Sequence, residues 1–147
     1  MKNFFPNKTA LYALVAACFV VCATMGVRQT FGLYSSQFES SGGTSNTEFG
    51  LAIAIHAIFW GIFTPIFGRI SDKLGGYVVI IPALIFYSIA MFLMGNNYIS
   101  GVWLQVNLGL LVGLGLAGAA GTILTPMVSK HFPNENRSTA AGIVTAV

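Results

Sequence analysis

Charge is what this sequence has least of. Its 147 residues include seven Lys and Arg and four Asp and Glu, so 7% of the side chains are charged, against about 25% in an ordinary soluble domain. So few charges cannot cover a water-soluble surface, and a mean hydropathy of +0.77 excludes a disordered chain as well. Cysteine is also scarce. Cys18 and Cys22 are the two present, four apart on one face of a predicted helix. With no His or acid beside them they suit packing as small apolar groups, not metal binding. Acids are missing from every apolar run, because Glu39, Glu48, Asp72 and Glu135 all flank them. No membrane-embedded carboxylate relay is therefore encoded. Enzyme motifs are missing too: there is no H-E-x-x-H, no G-x-S-x-G and no P-loop. The basic residues outside the apolar runs are scattered over three segments, which argues against nucleic-acid binding. No cofactor is implied.

What the sequence has is long apolar stretches. Asp, Glu, Lys and Arg are absent from Thr9 to Val27, from Phe49 to Gly68 and from Leu74 to Ser129. The first two match the ~20 residues a helix needs to cross ~30 Å of hydrocarbon. The third is more than twice that length, and the polar, glycine-flanked stretch Gly95-Asn96-Asn97-Tyr98-Ile99-Ser100-Gly101 is its turn. The runs are continuous and lack the alternation of a membrane β-barrel. The expected fold is an all-α, polytopic membrane protein, with spans at about 10–34, 48–67, 77–95 and 101–127. A fifth apolar segment starts at Thr139 and is too short to cross. No linker separates domains, so residues 1–147 form one incomplete transmembrane bundle.

The basic residues give the orientation. Lys2 and Lys8 precede the first span, Arg69 and Lys73 lie between the second and third, and Lys130 and Arg137 follow the fourth, whereas 35–47 and 96–100 carry none. The positive-inside rule puts the amino terminus in the cytoplasm of a multi-pass inner-membrane protein. Val15-Ala16-Ala17-Cys18 has the look of a lipoprotein cleavage site, but the apolar run continues through it to Val27, which favours an uncleaved span. Thr47 or Asn46 is the expected cap of the second span, with Glu48 in its first turn.

Four polar or aromatic residues in or near the spans are candidates for solute binding: Arg28, Gln29, His56 and Trp60. Arg28 lies roughly 27 Å along a helix begun at Ala10, where its guanidinium either snorkels to headgroups or receives a carboxylate in a bidentate contact. Gln29 points about 100° away from it. His56 is either a neutral, hydrogen-bonded packing residue or a proton relay or ligand. Trp60 is one turn further along the same face. In the fourth span Gly109, Gly113, Ala117 and Gly121 recur every four residues, a small-residue column that lets another helix approach closely, with Gly115 and Gly118 widening it.

Gly68-Arg69-Ile70-Ser71-Asp72-Lys73-Leu74-Gly75 resembles the loop signature of the major facilitator superfamily: Gly, three residues, Asp, a basic residue, one more, then Gly. It falls between spans two and three, where that family has it. The resemblance implies that Gly68, Asp72, Lys73 and Gly75 form a conformational-switch loop, the acid facing a helix end in the other half of the protein. The basic residues that usually follow are replaced by Gly76 and Tyr77. A second family signature would place an arginine at Gly109, so no proton-coupling role is carried over. Arg28-Gln29-Thr30-Phe31-Gly32-Leu33-Tyr34 and Ala54-Ile55-His56-Ala57-Ile58-Phe59-Trp60-Gly61 look like bacterial oxalate/formate antiporters and monocarboxylate porters. The family implies twelve spans in two halves. On that reading the chain is about the first third of an alternating-access carrier for a small organic anion, and the carboxy-terminal half is a missing partner. The rival reading is a free-standing four-span scaffold or small channel that oligomerises through the glycine face.

Overall fold

The acyl environment leaves a backbone no partner but itself, and the apolar runs accordingly coil into helices. The computed structural model describes residues 6–40, 44–96 and 101–146. α1 spans Lys8–Ser40, α2 Asn46–Leu74 and α3 Tyr77–Gly95. A fourth span, Gly101–Ser129, is built from α4 (Gly101–Leu104), a π-helical segment (Gln105–Leu111), α5 (Val112–Ala119) and α6 (Gly121–Ser129). α7 (Arg137–Ala146) follows. There is no strand among the described residues, and four helical stretches are long and apolar enough to cross a membrane. The protein is an all-α polytopic bundle. Ser41–Gly43 and Asn97–Ser100, parts of the two loops expected outside, fall beyond the described residues, as does Lys2.

α1 runs on to Ser40, past the expected end at 34, and the helices correct the sequence reading in three further places. The cap of α2 is Ser45, one residue before the expected Asn46 or Thr47. Its Oγ accepts the Glu48 N–H at 3.2 Å, and the Glu48 carboxylate accepts the Ser45 N–H at 3.0 Å, a reciprocal capping box. At its other end α2 does not stop at 67. It runs through Gly68 to Leu74 and absorbs most of the expected loop 68–76, because charged side chains do not end a helix and only a backbone change does. That change is Gly75, at φ +96°, whose N–H donates to the Ser71 carbonyl at 2.9 Å. Gly68 is an ordinary helical residue with open space where a Cβ would sit. The third correction is in the fourth span, which is not one regular helix. It widens to π geometry at Gln105–Leu111 and breaks at Ala120, whose ψ of 151° is extended.

The fourth span is the centre of the bundle. Of its most apolar stretch, 67% is buried, against 28%, 17% and 28% for the other three spans. Close approach is made possible by glycine on two sides. A Cβ on Gly109 would lie 2.7 Å from Ile55 Cγ2, and one on Gly113 would lie 3.1 Å from the His56 carbonyl, both on α2. Gly115 and Gly118 press instead on α3, against Tyr87 and Ala83. The expected single column is therefore two seams. Ala117 is buried between them in sequence. Gly121, beyond the Ala120 break, meets nothing nearer than Thr125 Oγ1 at 3.9 Å and stands apart from both seams.

Two apolar cores fill the bundle. One, at the Gly75 end, gathers Leu14, Val21, Val79, Leu124 and Phe132 with Val144 of α7. The other, towards the Gly101 end, gathers Phe31, Phe49, Tyr87, Leu104 and Leu108. Met25 packs against both. Outward-facing Phe19, Leu33, Ile58, Ile85, Phe92 and Val102 are exposed, as lipid contact requires.

Candidate functional site

Trp60 lies at the middle of α2 and Arg28 one turn past the middle of α1. The helices run antiparallel, and the Arg28 guanidinium turns towards the middle of the bundle. Its Cζ lies 4.7 Å from the centre of the Trp60 ring, a cation–π contact. His56, one turn along α2, stacks on the same indole with ring centres 6.2 Å apart and planes 29° apart. Arg28 Nε is buried and has no hydrogen-bond partner among the described residues.

Arg28 and His56 open onto a cleft of about 350 Å³ shared with Phe31, Gly32, Phe49 and Ile53. Among the described residues no acid lines it, so one cation faces a mainly apolar wall. His56 is buried. Neither ring nitrogen makes a bond of good geometry, and the polar group beside it is the Leu108 backbone of the π segment. Gln29 is exposed and does not join the cluster: it follows Arg28 in sequence but points round to another face.

The sequence reading missed two groups that bear on this site. Asn107, fully buried in the π segment, sits next to Leu108 in the chain. An amide inside a long apolar run is the signal that could have found it. Tyr87 of α3 is the other. Its hydroxyl donates to the Thr24 carbonyl of α1 at 3.3 Å, one turn before Arg28.

At the Gly75 end, Asp72 and Lys73 are exposed on the last turns of α2. Asp72 lines a cleft of about 240 Å³ with Ser71, Gly75, Tyr77, Lys130 and His131. At position 76, where the family pattern has a basic residue, Gly76 is buried and packs against the flexible Met127 side chain of α6. The octad is therefore the end of a helix followed by one glycine at positive φ.

The sequence of this bundle matches the Major Facilitator Superfamily over residues 2–147. The chain belongs to that superfamily. It is 28% identical over 142 residues to the class E tetracycline resistance protein of Escherichia coli, an alignment covering 95% of this chain and 33% of that protein. It is 28% identical over 136 residues to a multi-drug resistance efflux pump PmrA homolog of Lactococcus lactis subsp. lactis, covering 92% of this chain and 33% of the relative. Against the quinolone resistance protein NorA of Staphylococcus aureus it is 26% identical over 107 residues, 71% of this chain and 26% of that one. The chain thus spans about a third of the length of the curated relatives that it matches most fully. No solved structure matches it. Superfamily membership makes this a multi-pass membrane protein of a transporter family and disfavours the free-standing scaffold.

Proposed function

We propose that this chain is the amino-terminal part of a secondary carrier that moves a small amphipathic organic anion by alternating access, with its amino terminus in the cytoplasm. The observation that carries this reading is the Arg28 guanidinium held over Trp60, beside a cleft with one cation and, among the described residues, no acid. A guanidinium in a low-dielectric cleft is a receptor for a carboxylate, and Arg28 lines the cleft. Phe31, Phe49 and Ile53 offer contact to an apolar body. The named relatives are antibiotic-resistance and efflux proteins, which supports export of an organic molecule with such a body in preference to a bare dicarboxylate. Alternating access needs an opposing half, and the solute would favour one packing over the other by its unequal contacts with the two. Gly68, Asp72, Lys73 and Gly75 supply the switch region on this reading, and the two glycine seams let the central helix shift against α2 and α3.

Trp60 reports on the site directly. In a Trp103→Phe background, benzoate and oxalate titrated into the reconstituted protein should change Trp60 emission saturably, benzoate at the lower concentration. Arg28→Lys should raise the half-saturating concentration by on the order of tenfold, because the planar fork is lost while the charge stays. Titration curves unchanged by Arg28→Lys, or a response to tetracycline with none to either carboxylate, would overturn the anion reading.

A further inference from the structure

Two helix faces make the solute cleft. On α1, Arg28, Phe31 and Gly32 stand at i, i+3 and i+4. On α2, Phe49, Ile53 and His56 stand at i, i+4 and i+7. Each trio is one stripe of its helix, and together they line the cleft. Charge or packing accounts for all of them except His56. Phe31 and Phe49 fill the apolar core, and Gly32 leaves open space where a Cβ would sit.

His56 is 2% exposed, and neither ring nitrogen has a hydrogen-bond partner among the described residues. A buried polar group left unpaired is costly, and a folded interior keeps few of them. A segment outside this chain could cover an exposed face, but the imidazole is already enclosed. Trp60 stacks on it, and the Leu108 backbone lies beside it. What reaches it must come by the cleft that it borders. A half-turn about χ2 exchanges each ring nitrogen with a ring carbon in nearly the same place, so a nitrogen can be brought to that border without a change of volume.

The second polar group of the cleft is close by. The Arg28 Cζ and the His56 ring both ride on the Trp60 indole, 4.7 Å and 6.2 Å from its centre. One benzene ring bearing a carboxylate and a second substituent is a body of the size that joins them.

We infer that His56 is a specificity-determining residue that hydrogen-bonds a hydroxyl on the apolar body of the solute, so that the cleft selects hydroxylated aromatic carboxylates over plain ones. This rests on the anion reading proposed above. The guanidinium takes the carboxylate, and Phe31 and Phe49 pack on the arene. A neutral imidazole has one donor and one acceptor, and a hydroxyl pairs with either. A site with a buried polar group rejects the analogue that leaves that group unpaired.

The test is isothermal titration calorimetry of the full chain in detergent micelles. The probes are benzoate, meta- and para-hydroxybenzoate, and the matching methylbenzoates. At least one hydroxybenzoate should bind roughly fivefold tighter than the methylbenzoate of the same pattern, the worth of one neutral hydrogen bond. His56→Phe keeps a ring against Trp60. It should abolish that difference and leave benzoate affinity within about twofold. His56→Gln keeps hydrogen-bonding capacity and should retain part of the difference. Circular dichroism confirms the helices of each variant, and if His56→Phe does not fold, the wild type and His56→Gln still decide. Benzoate binding with no hydroxyl preference at either position would overturn the inference and spare the anion reading. A hydroxyl preference that persists in His56→Phe would do the same. No binding of benzoate would remove the anion reading and this inference with it.

Discussion

The Tyr87 hydroxyl of α3 and the Thr24 carbonyl of α1 meet at 3.3 Å in the buried interior. In an α-helix that carbonyl also accepts the N–H four residues on, which is that of Arg28. Tyr87 thereby anchors the turn from which the guanidinium projects. Its own position is fixed from behind, where a Cβ on Gly115 would lie 2.8 Å from Tyr87 Cβ.

Tyr87→Phe keeps the ring and removes the bond. The bundle should survive with a loss of about 0.6 kcal/mol, the usual worth of an interhelical hydrogen bond in a membrane protein. SDS-driven unfolding followed by circular dichroism measures it. An unchanged midpoint would show that the bond is of no consequence.

The glycine seams give a paired test. Gly118→Leu drives a side chain into Ala83 and Val79 of α3 and should destabilise by about 1–3 kcal/mol, the cost of overpacking a filled interface. Gly121→Ala meets open space and should change stability by less than about 0.5 kcal/mol. Thermal unfolding in detergent separates them, and equal losses would restore the single-column reading.

This contrast shows what the sequence could and could not disclose. A charge-free run long enough to cross has only one backbone solution in lipid, so the four spans were legible from composition alone. Arg28, His56 and Trp60 were legible because polar and bulky amphipathic groups stand out in such a run. The π segment was not. An i→i+5 ladder differs from an i→i+4 ladder by one residue of register, and nothing in Gln105-Val106-Asn107-Leu108 marks it. The break at Ala120 is what set Gly121 apart, while Gly115, about 200° round the helix from Gly113, meets α3 and not α2. Nor was the partnership of Tyr87 with Thr24 legible, since it depends on how α3 is rotated against α1. Gln29 is exposed and turned away from Arg28, as the 100° per residue of a helix requires.

Gly75 and Gly68, alike in the octad, should respond differently to alanine. Gly75 holds φ +96° with ψ 149°, a region all but reserved for glycine that costs a Cβ-bearing residue about 1–3 kcal/mol. Gly68 is helical and unobstructed, so alanine there should be neutral or should stabilise by up to about 1 kcal/mol. Unfolding midpoints of the two variants check the sign.

Ser45→Ala removes the Oγ that accepts the Glu48 N–H and frees the Glu48 carboxylate from its place. The expected loss is about 1 kcal/mol, with faster amide exchange confined to the first turn of α2. Ser45→Asp should recover most of it, because a carboxylate at that position also suits the helix dipole.

Met25 has a consequence for how the molecule can deform. The two apolar plugs that close the bundle are separate, and an unbranched thioether, the most pliable of the large apolar side chains, touches both. On the carrier reading proposed above, that shared side chain is the point about which the two ends repack separately, and Arg28, one turn along α1 from Met25, stands beside it.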